Sequence, residues 1–256
     1  MVSSVLVNHC GARQVNAAEL ATIEPPMPTR TWYPLAHRAV LDSVCEALDG
    51  AGFAIVRSRL SVSHGGARFF GTLDLTTSIV EGVSLAVGIR NSNDQSFPIG
   101  FCCGQRVFVC DNLAFTSEIV VSKKHTRFGQ ERYLEGLAQA VASLEQYKQS
   151  AAGWIERMQA RQLSDDTANS LLLQAYERKI IGLRLLPLVV EEWRRPQREK
   201  YRPRTAYSLF NCFTDVLGRE RQLRFPAESA LATMRLSKLL APPSAAGGEQ
   251  EIATAA

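Results

Sequence analysis

Hydrophobic spacing changes its period twice along this chain. From His37 to Leu48 the apolar residues Val40, Leu41, Val44 and Leu48 recur at steps of three and four, with Gly50 and Gly52 following as stop signals, which predicts a helix. Short β-branched and aromatic runs punctuated by glycine come next. Phe53 to Val62, Ala67 to Thr76, Gly82 to Arg90, Phe97 to Cys103 and Arg106 to Cys110 read as strands, with Ala114 to Val121 as a sixth candidate. His64-Gly65-Gly66 reads as the turn between the first two. The connections are short and polar, so neighbouring strands are expected to be antiparallel; a parallel return needs about a dozen residues or more.

Helical period then returns. Leu134, Leu137, Val141, Leu144, Ala151, Ile155 and Met158 predict one long amphipathic helix from about Gln130 to Arg161, its stripe broken only by Lys148. Ser164 caps a further helix beginning at Asp165, and Pro187 fits the first turn of a short helix reaching Trp193. Thr205 caps Ala206 to Leu217 ahead of a stop at Gly218, and Pro226 opens a last helix to about Leu240. The expected fold is α+β: an antiparallel sheet of five or six strands packed by a long amphipathic helix, with a helical C-terminal half. The expected organisation is an irregular arm over 1–30, ending in Pro25, Pro26 and Pro28, then a single domain over 31–240, with a sheet core at 50–125 and a helical part at 130–240. Pro242, Pro243, Gly247 and Gly248 mark 241–256 as a disordered tail.

With 256 residues, 46% of them hydrophobic and 21% charged, the chain has enough apolar surface for a packed core and is not of the disordered class. No run approaches the roughly 18 consecutive apolar residues of a membrane span, and Met1 to Val7 lacks the basic and apolar regions of a signal peptide. The expected setting is the cytoplasm, with no membrane partner. The cysteines at 10, 45, 102, 103, 110 and 212 form no paired CxxC spacing, so no metal and no cofactor is expected. Adjacent Cys102 and Cys103 would point to opposite faces of a strand and read as packing residues of a reduced protein.

The net charge of +4 is mild, and its distribution is more informative. The run from Arg194 to Arg204 holds Arg194, Arg195, Arg198, Lys200, Arg202 and Arg204 against the single acid Glu199, with Tyr201 inside it and Trp193 and Tyr207 flanking it. A second cluster contains Lys123, Lys124, His125, Arg127 and Arg132, opposed by Glu131, and Phe69 and Phe70 adjoin Arg68. Cations tracking phosphates, interleaved with rings that stack on bases, suit a single-stranded nucleic acid. The plainer reading of such a run is solvated surface.

The densest local pattern runs from Arg90 to Phe115. Asn91, Ser92, Asn93, Asp94 and Ser96 have short polar side chains that hydrogen-bond nearby backbone, as a tight connection between strands requires. Arg106 to Cys110 then reads as a buried strand ending in the turn formers Asp111 and Asn112. In three places the chain resembles a family of phage, prophage and plasmid proteins known as domain of unknown function 932. These are an Asn-Ser-x-Asp-x-Ser turn at Asn91, Ser92, Asp94 and Ser96; an Arg-to-Cys-x-Asn strand end at Arg106, Val109, Cys110 and Asn112; and a helical segment at Tyr207, Ser208, Leu209, Phe210 and Asn211. The resemblance covers Trp32 to Gly218 and departs at Gln95 and Leu113, where many members carry Gly. It implies a mobile-element protein that handles DNA, and brings no established reaction.

The expected function is therefore a non-enzymatic DNA-binding protein of a mobile element. It favours single strands and has a role in annealing or recombination, with a homo-oligomer as a candidate assembly. Phage annealing proteins, which assemble as rings, share only this coarse layout of small sheet and supporting helix. Two alternatives stay open. One is a metal-dependent phosphodiesterase in which Asp94 and Asp111 converge with Asn91, Asn112, Arg90 and Arg106 at one end of the sheet. The other is a protein-interaction factor, such as an inhibitor of a host system. The chain has no Gly-rich phosphate loop, no GxSxG elbow and no metal-spaced His pair, which argues against nucleotide hydrolysis and acyl transfer.

Overall fold

A computed structural model of the chain describes residues 13–107, 112–220 and 226–241. Six antiparallel strands form one meandering sheet in chain order: β1 (Arg13–Val15), β2 (Ile55–Ser63), β3 (Arg68–Val80), β4 (Val83–Ser92), β5 (Ile99–Val107) and β6 (Asn112–Lys123). Helices α1 (Ala17–Ala21) and α2 (His37–Gly50) lie between β1 and β2 in sequence. The C-terminal half is helical: α3 (Gly129–Ala142), α4 (Leu144–Ala160), α5 (Asp165–Glu177), α6 (Leu186–Arg194), α7 (Ala206–Glu220) and α8 (Pro226–Leu240). The α+β expectation is the observed architecture.

Alternation along the strands gives the sheet two chemically different faces. Register places Val62, Phe69 and Asn91 in one row, and Leu60, Gly71, Ile89, Phe101 and Val121 in the next. This face is apolar and buried, apart from Asn91, and α2 packs on it through a contact between the His37 and Phe69 rings at 5.6 Å. On the opposite face, one row runs Ser61, Phe70, Arg90, Gly100 and Ser122, and the next runs Arg59, Thr72, Gly88, Cys102 and Val120. Apart from Phe70 and Val120 its side chains are polar, small or cationic, and Arg59 forms a buried ion pair with Asp74 at 3.8 Å. Cys102 and Cys103 do face opposite ways, since Cys103 pairs with Val87 and Cys102 with Gly88.

Several local features follow directly from sequence. The β2–β3 connection needs left-handed backbone at His64, Gly65 and Gly66 (φ 54°, 67° and 95°), which two glycines supply without a Cβ penalty. Ser164 accepts from the Thr167 amide at 3.2 Å, and Thr205 from the Ser208 amide at 3.1 Å, so the expected caps of α5 and α7 are both present. Pro187 stands in the first turn of α6.

Other expectations are corrected. Part of the 1–30 arm is structured: Arg13–Val15 pairs with Leu60–Val62, and Leu20 of α1 is fully buried behind an Asn16–Glu19 capping box. Three strand residues are too few to show a periodicity. Cys103 and Arg106, read as belonging to separate strands, lie on one strand, β5, which passes through Gly104 without a turn; residues 108–110 lie outside the described residues. The long helix at 130–161 divides into α3 and α4 at Ser143, whose amide and hydroxyl both donate to the Gln139 carbonyl (3.2 and 2.9 Å). On α3, Leu137 and Val141 are buried as the spacing suggests, but Leu134 is exposed and Tyr133 is buried in its place. Helix α7 continues through Gly218 to Glu220. Beyond residue 241 the proposed tail lies outside the described residues.

Adjacent residues Phe69 and Phe70 test the two-faced sheet. Phe69→Ala, in the apolar core, is expected to cost about 3–5 kcal/mol in urea unfolding. Phe70→Ala, on the polar face, should cost only about 1 kcal/mol. Equal losses would contradict the assignment of faces.

Candidate nucleic-acid interface

The turn between β4 and β5 is built by the Asn-Ser-x-Asp-x-Ser residues. Ser92 accepts from the Phe97 amide and donates to the Phe97 carbonyl (3.2 and 2.6 Å), closing the loop on itself. Asp94 accepts from the Ser96 amide (3.0 Å) and from the Arg68 guanidinium (2.7 Å). Burial opposes ionisation of Asp94, but these bonds from Ser96 and Arg68 outweigh it and hold its carboxyl below the usual 3.8. Gln95 occupies the left-handed region at φ 62°, at the position where the resembling family often carries Gly.

Asn91 turns inward from the same strand end. It is fully buried, and its amide nitrogen donates to the Leu35 carbonyl at 2.8 Å and to His37 Nδ1 at 2.9 Å. That contact makes Nδ1 the acceptor, so Nε2 carries the proton and donates to the Gly66 carbonyl at 2.8 Å. His37 thus joins α2, the β2–β3 turn and β4, a role that sequence reading missed: it stood out only as the first residue of a helix. Burial pushes its imidazole below the usual 6.5. His125 is buried too, with its ring edge-on to Trp32 (6.5 Å) and its carbonyl accepting from the Tyr33 amide (2.9 Å), and burial lowers its pKa as well.

Around this hub the sheet end gathers cations and rings. Arg90 is half-buried and lies flat across Gly100; a Cβ built there would meet Arg90 Nε at 3.0 Å. Its guanidinium sits 5.5 Å from the centre of the Phe97 ring, and Phe97 packs on Phe70 with centroids 5.2 Å apart. Arg90 has no acidic partner among the described residues. Register continues the row from Gly100 to Ser122 of β6, two strands or about 10 Å from Arg90. Lys123 follows at the strand's end, and the exposed loop that begins at Lys124 carries Arg127 over the ring of Phe128 (5.7 Å), itself 56% exposed. Lys123, Lys124 and Arg127 therefore belong to the same end of the sheet as Arg68 and Arg90.

The Arg194–Arg204 run is built differently from the expectation. Tyr201 is only 1% exposed, so it cannot stack on a base; it is a core residue of the helical half. Arg198 pairs with the buried Asp215 at 3.3 Å. Arg204 stacks on Trp193 (4.2 Å), donates to the Trp193 carbonyl (2.7 Å) and pairs with Asp165. Arg202 pairs with Glu199 in solvent, and Arg194 and Arg195 are exposed. Lys200 lies in a short 3₁₀ turn, Glu199–Tyr201. Trp193 and Tyr207 are likewise buried, and Ser208 to Asn211 are all buried, so this turn of α7 is enclosed on every side. Within this run Tyr201 is buried and Arg198 and Arg204 are engaged by Asp215, Asp165 and Trp193, while Arg194, Arg195 and Arg202 face solvent.

The described members of the convergent catalytic set lie far apart along the sheet. Arg90 pairs with Gly100 and Arg106 with Ser84, towards opposite ends of β5, a nine-residue strand roughly 25–30 Å long. Cys110 and Asp111 lie outside the described residues, but Asn112 pairs with Val107, at the far end of β5 from the Asp94 turn. Among the described residues no group of three or more His, Cys, Asp or Glu is placed to hold a metal ion, and no helix is long and apolar enough to cross a membrane.

No family model, curated protein or solved structure matches the chain.

Two outcomes follow from the hub. His37 and His125 take up protons less readily folded than unfolded, so the unfolded chain gains protons first as pH falls below about 6.5, and stability drops on that side. Thermal melts between pH 7.5 and 5.5 should show this acid-side loss, with a shallower dependence in His37→Gln. At Gln95, glycine removes the Cβ cost of the left-handed backbone, and Gln95→Gly should leave stability unchanged or raise it by up to about 1 kcal/mol in the same assay.

Proposed function

We propose that this chain is a non-enzymatic DNA-binding protein that takes single strands at the β4–β5 end of its sheet. The observation that carries this reading is Arg90: a half-buried guanidinium without an acidic partner among the described residues, lying beside an accessible ring. A cation partly withdrawn from water gains from an anion that comes to it. Arg68, Lys123, Lys124 and Arg127 add positive charge around Arg90, against Asp94 on the same turn. Phe70, Phe97 and Phe128 supply rings for bases.

The resemblance of the Asn91–Ser96 turn to phage and plasmid proteins fits a role on a mobile element's own DNA, in annealing or recombination. Arg194, Arg195 and Arg202 remain available at the surface as secondary phosphate contacts. A cytoplasmic setting and assembly into a homo-oligomer are part of the same proposal.

Fluorescence anisotropy with labelled oligonucleotides at about 50 and 200 mM salt tests it, since phosphate contacts weaken steeply with salt. Binding at the lower salt is expected, and Lys124→Glu with Arg127→Glu should weaken it and reduce the salt slope by roughly 2. No binding at the lower salt ends the proposal. An unchanged slope would move the site away from the sheet end.

A further inference from the structure

We infer that the polar face of the sheet is a base-stacking platform, with Phe97 and Phe70 as its stacking residues and Arg90 as its clamp. The affinity of the site for DNA is then affinity for unpaired bases. This rests on the nucleic-acid reading above and sharpens it from phosphate attraction to recognition of unstacked bases.

Three independent features point the same way. The first is ring placement. Phe70 belongs to the polar face by register, in the row with Arg90 and Gly100, yet every other large aromatic strand residue with a described side chain faces the apolar core. Phe97 emerges from the turn to meet it, and both remain half-exposed. Most of this face over β2–β4 is buried, Arg59, Ser61, Thr72 and Ser84 included, so the partly exposed pair Phe70–Phe97 marks the end at which rings reach solvent.

The second is the height of the floor. Beside the rings the row continues through Gly100 to Ser122, and the neighbouring row through Gly88 and Cys102 to Val120. These side chains are absent or short; Gly88 and Gly100 are buried, and the floor opens towards β6, with Ser122 exposed and Val120 52% exposed. A flat base can approach such a floor closely, whereas a duplex is too wide and keeps its bases inside its own stack.

The third is how Arg90 is held. Gly100 lets the arginine lie along the sheet, and the Phe97 ring holds its guanidinium plane at 5.5 Å. A planar cation fixed beside a ring can stack on a base or meet the adjoining phosphate with little further ordering. Its charge has no carboxylate to satisfy it among the described residues. Single-stranded DNA supplies both halves of that chemistry, a π-face and an anion one bond system apart.

The experiment compares three ligands of equal length, a thymidine strand, an abasic strand of the same backbone and a duplex, by anisotropy at about 50 mM salt. The wild-type protein should prefer the thymidine strand over the abasic strand by about 10- to 100-fold, and over the duplex. Phe97→Ala should bring the thymidine-to-abasic ratio close to one while leaving the salt slope unchanged, and Phe97→Tyr should restore it. A merely structural role for Phe97 would weaken both strands alike. If the wild type binds thymidine and abasic strands equally, the platform is wrong and the phosphate reading stands. If it binds neither, both fall. Circular dichroism on each variant confirms that it is folded.

Discussion

The carboxamide of Asn91 holds the business end of this molecule together. Buried at the end of β4, it uses both amide protons, one on the carbonyl of Leu35 and one on Nδ1 of His37. The second bond selects the histidine tautomer, which in turn sends its proton to the carbonyl of Gly66. One side chain thereby ties the start of α2, the segment before it and the β2–β3 turn to a single strand end. A buried polar group left without partners would cost about 1–3 kcal/mol, so these elements are coupled in position as well as in contact. Arg68, Arg90 and Phe97 all project from the framework that this network sets.

The sheet then divides labour by parity. Odd-numbered positions of β3 and β4 such as Phe69, Leu73, Val87 and Ile89 build the core with the helices. Even-numbered positions such as Phe70, Thr72 and Arg90 lie on the opposite face, with Thr72 buried and Phe70 and Arg90 half-buried. Arginine plays two distinct parts in consequence. Arg198 and Arg204 are consumed inside the helical half by Asp215, Asp165 and Trp193. Arg90 and Arg127 rest on phenylalanine rings without acidic partners among the described residues, and their charge is directed outward. Counting basic residues along the chain cannot separate these cases, because an ion pair between Arg204 and Asp165 joins residues 39 positions apart.

Much of the fold was legible because it is carried by local signals: the 3.6 period of α2, the caps at Ser164 and Thr205, the glycines of the β2–β3 turn, and the proline of α6. What was not legible had non-local causes. Strand β1 is three residues long and makes sense only against Leu60–Val62. The division at Ser143 falls inside an unbroken apolar spacing, so the pattern carries no sign of it. At the candidate site, the turn residues Asn91 to Ser96 were recognisable from their chemistry, but the inward direction of Asn91 and the flat-lying Arg90 depend on cross-strand neighbours. The basic run near Tyr201 was the most conspicuous charge feature and the least informative, since the burial of Tyr201 is decided by helices on either side of it.

The brevity of β1 has another consequence. It covers only the last part of β2, and the preceding residues carry a bulge between Ile55 and Arg57, with Arg57 and Ser58 exposed. An irregular, charged margin makes a poor template for a strand from another molecule. Here a bend in the backbone and a cation discourage the sheet from growing, strand upon strand, into an aggregate.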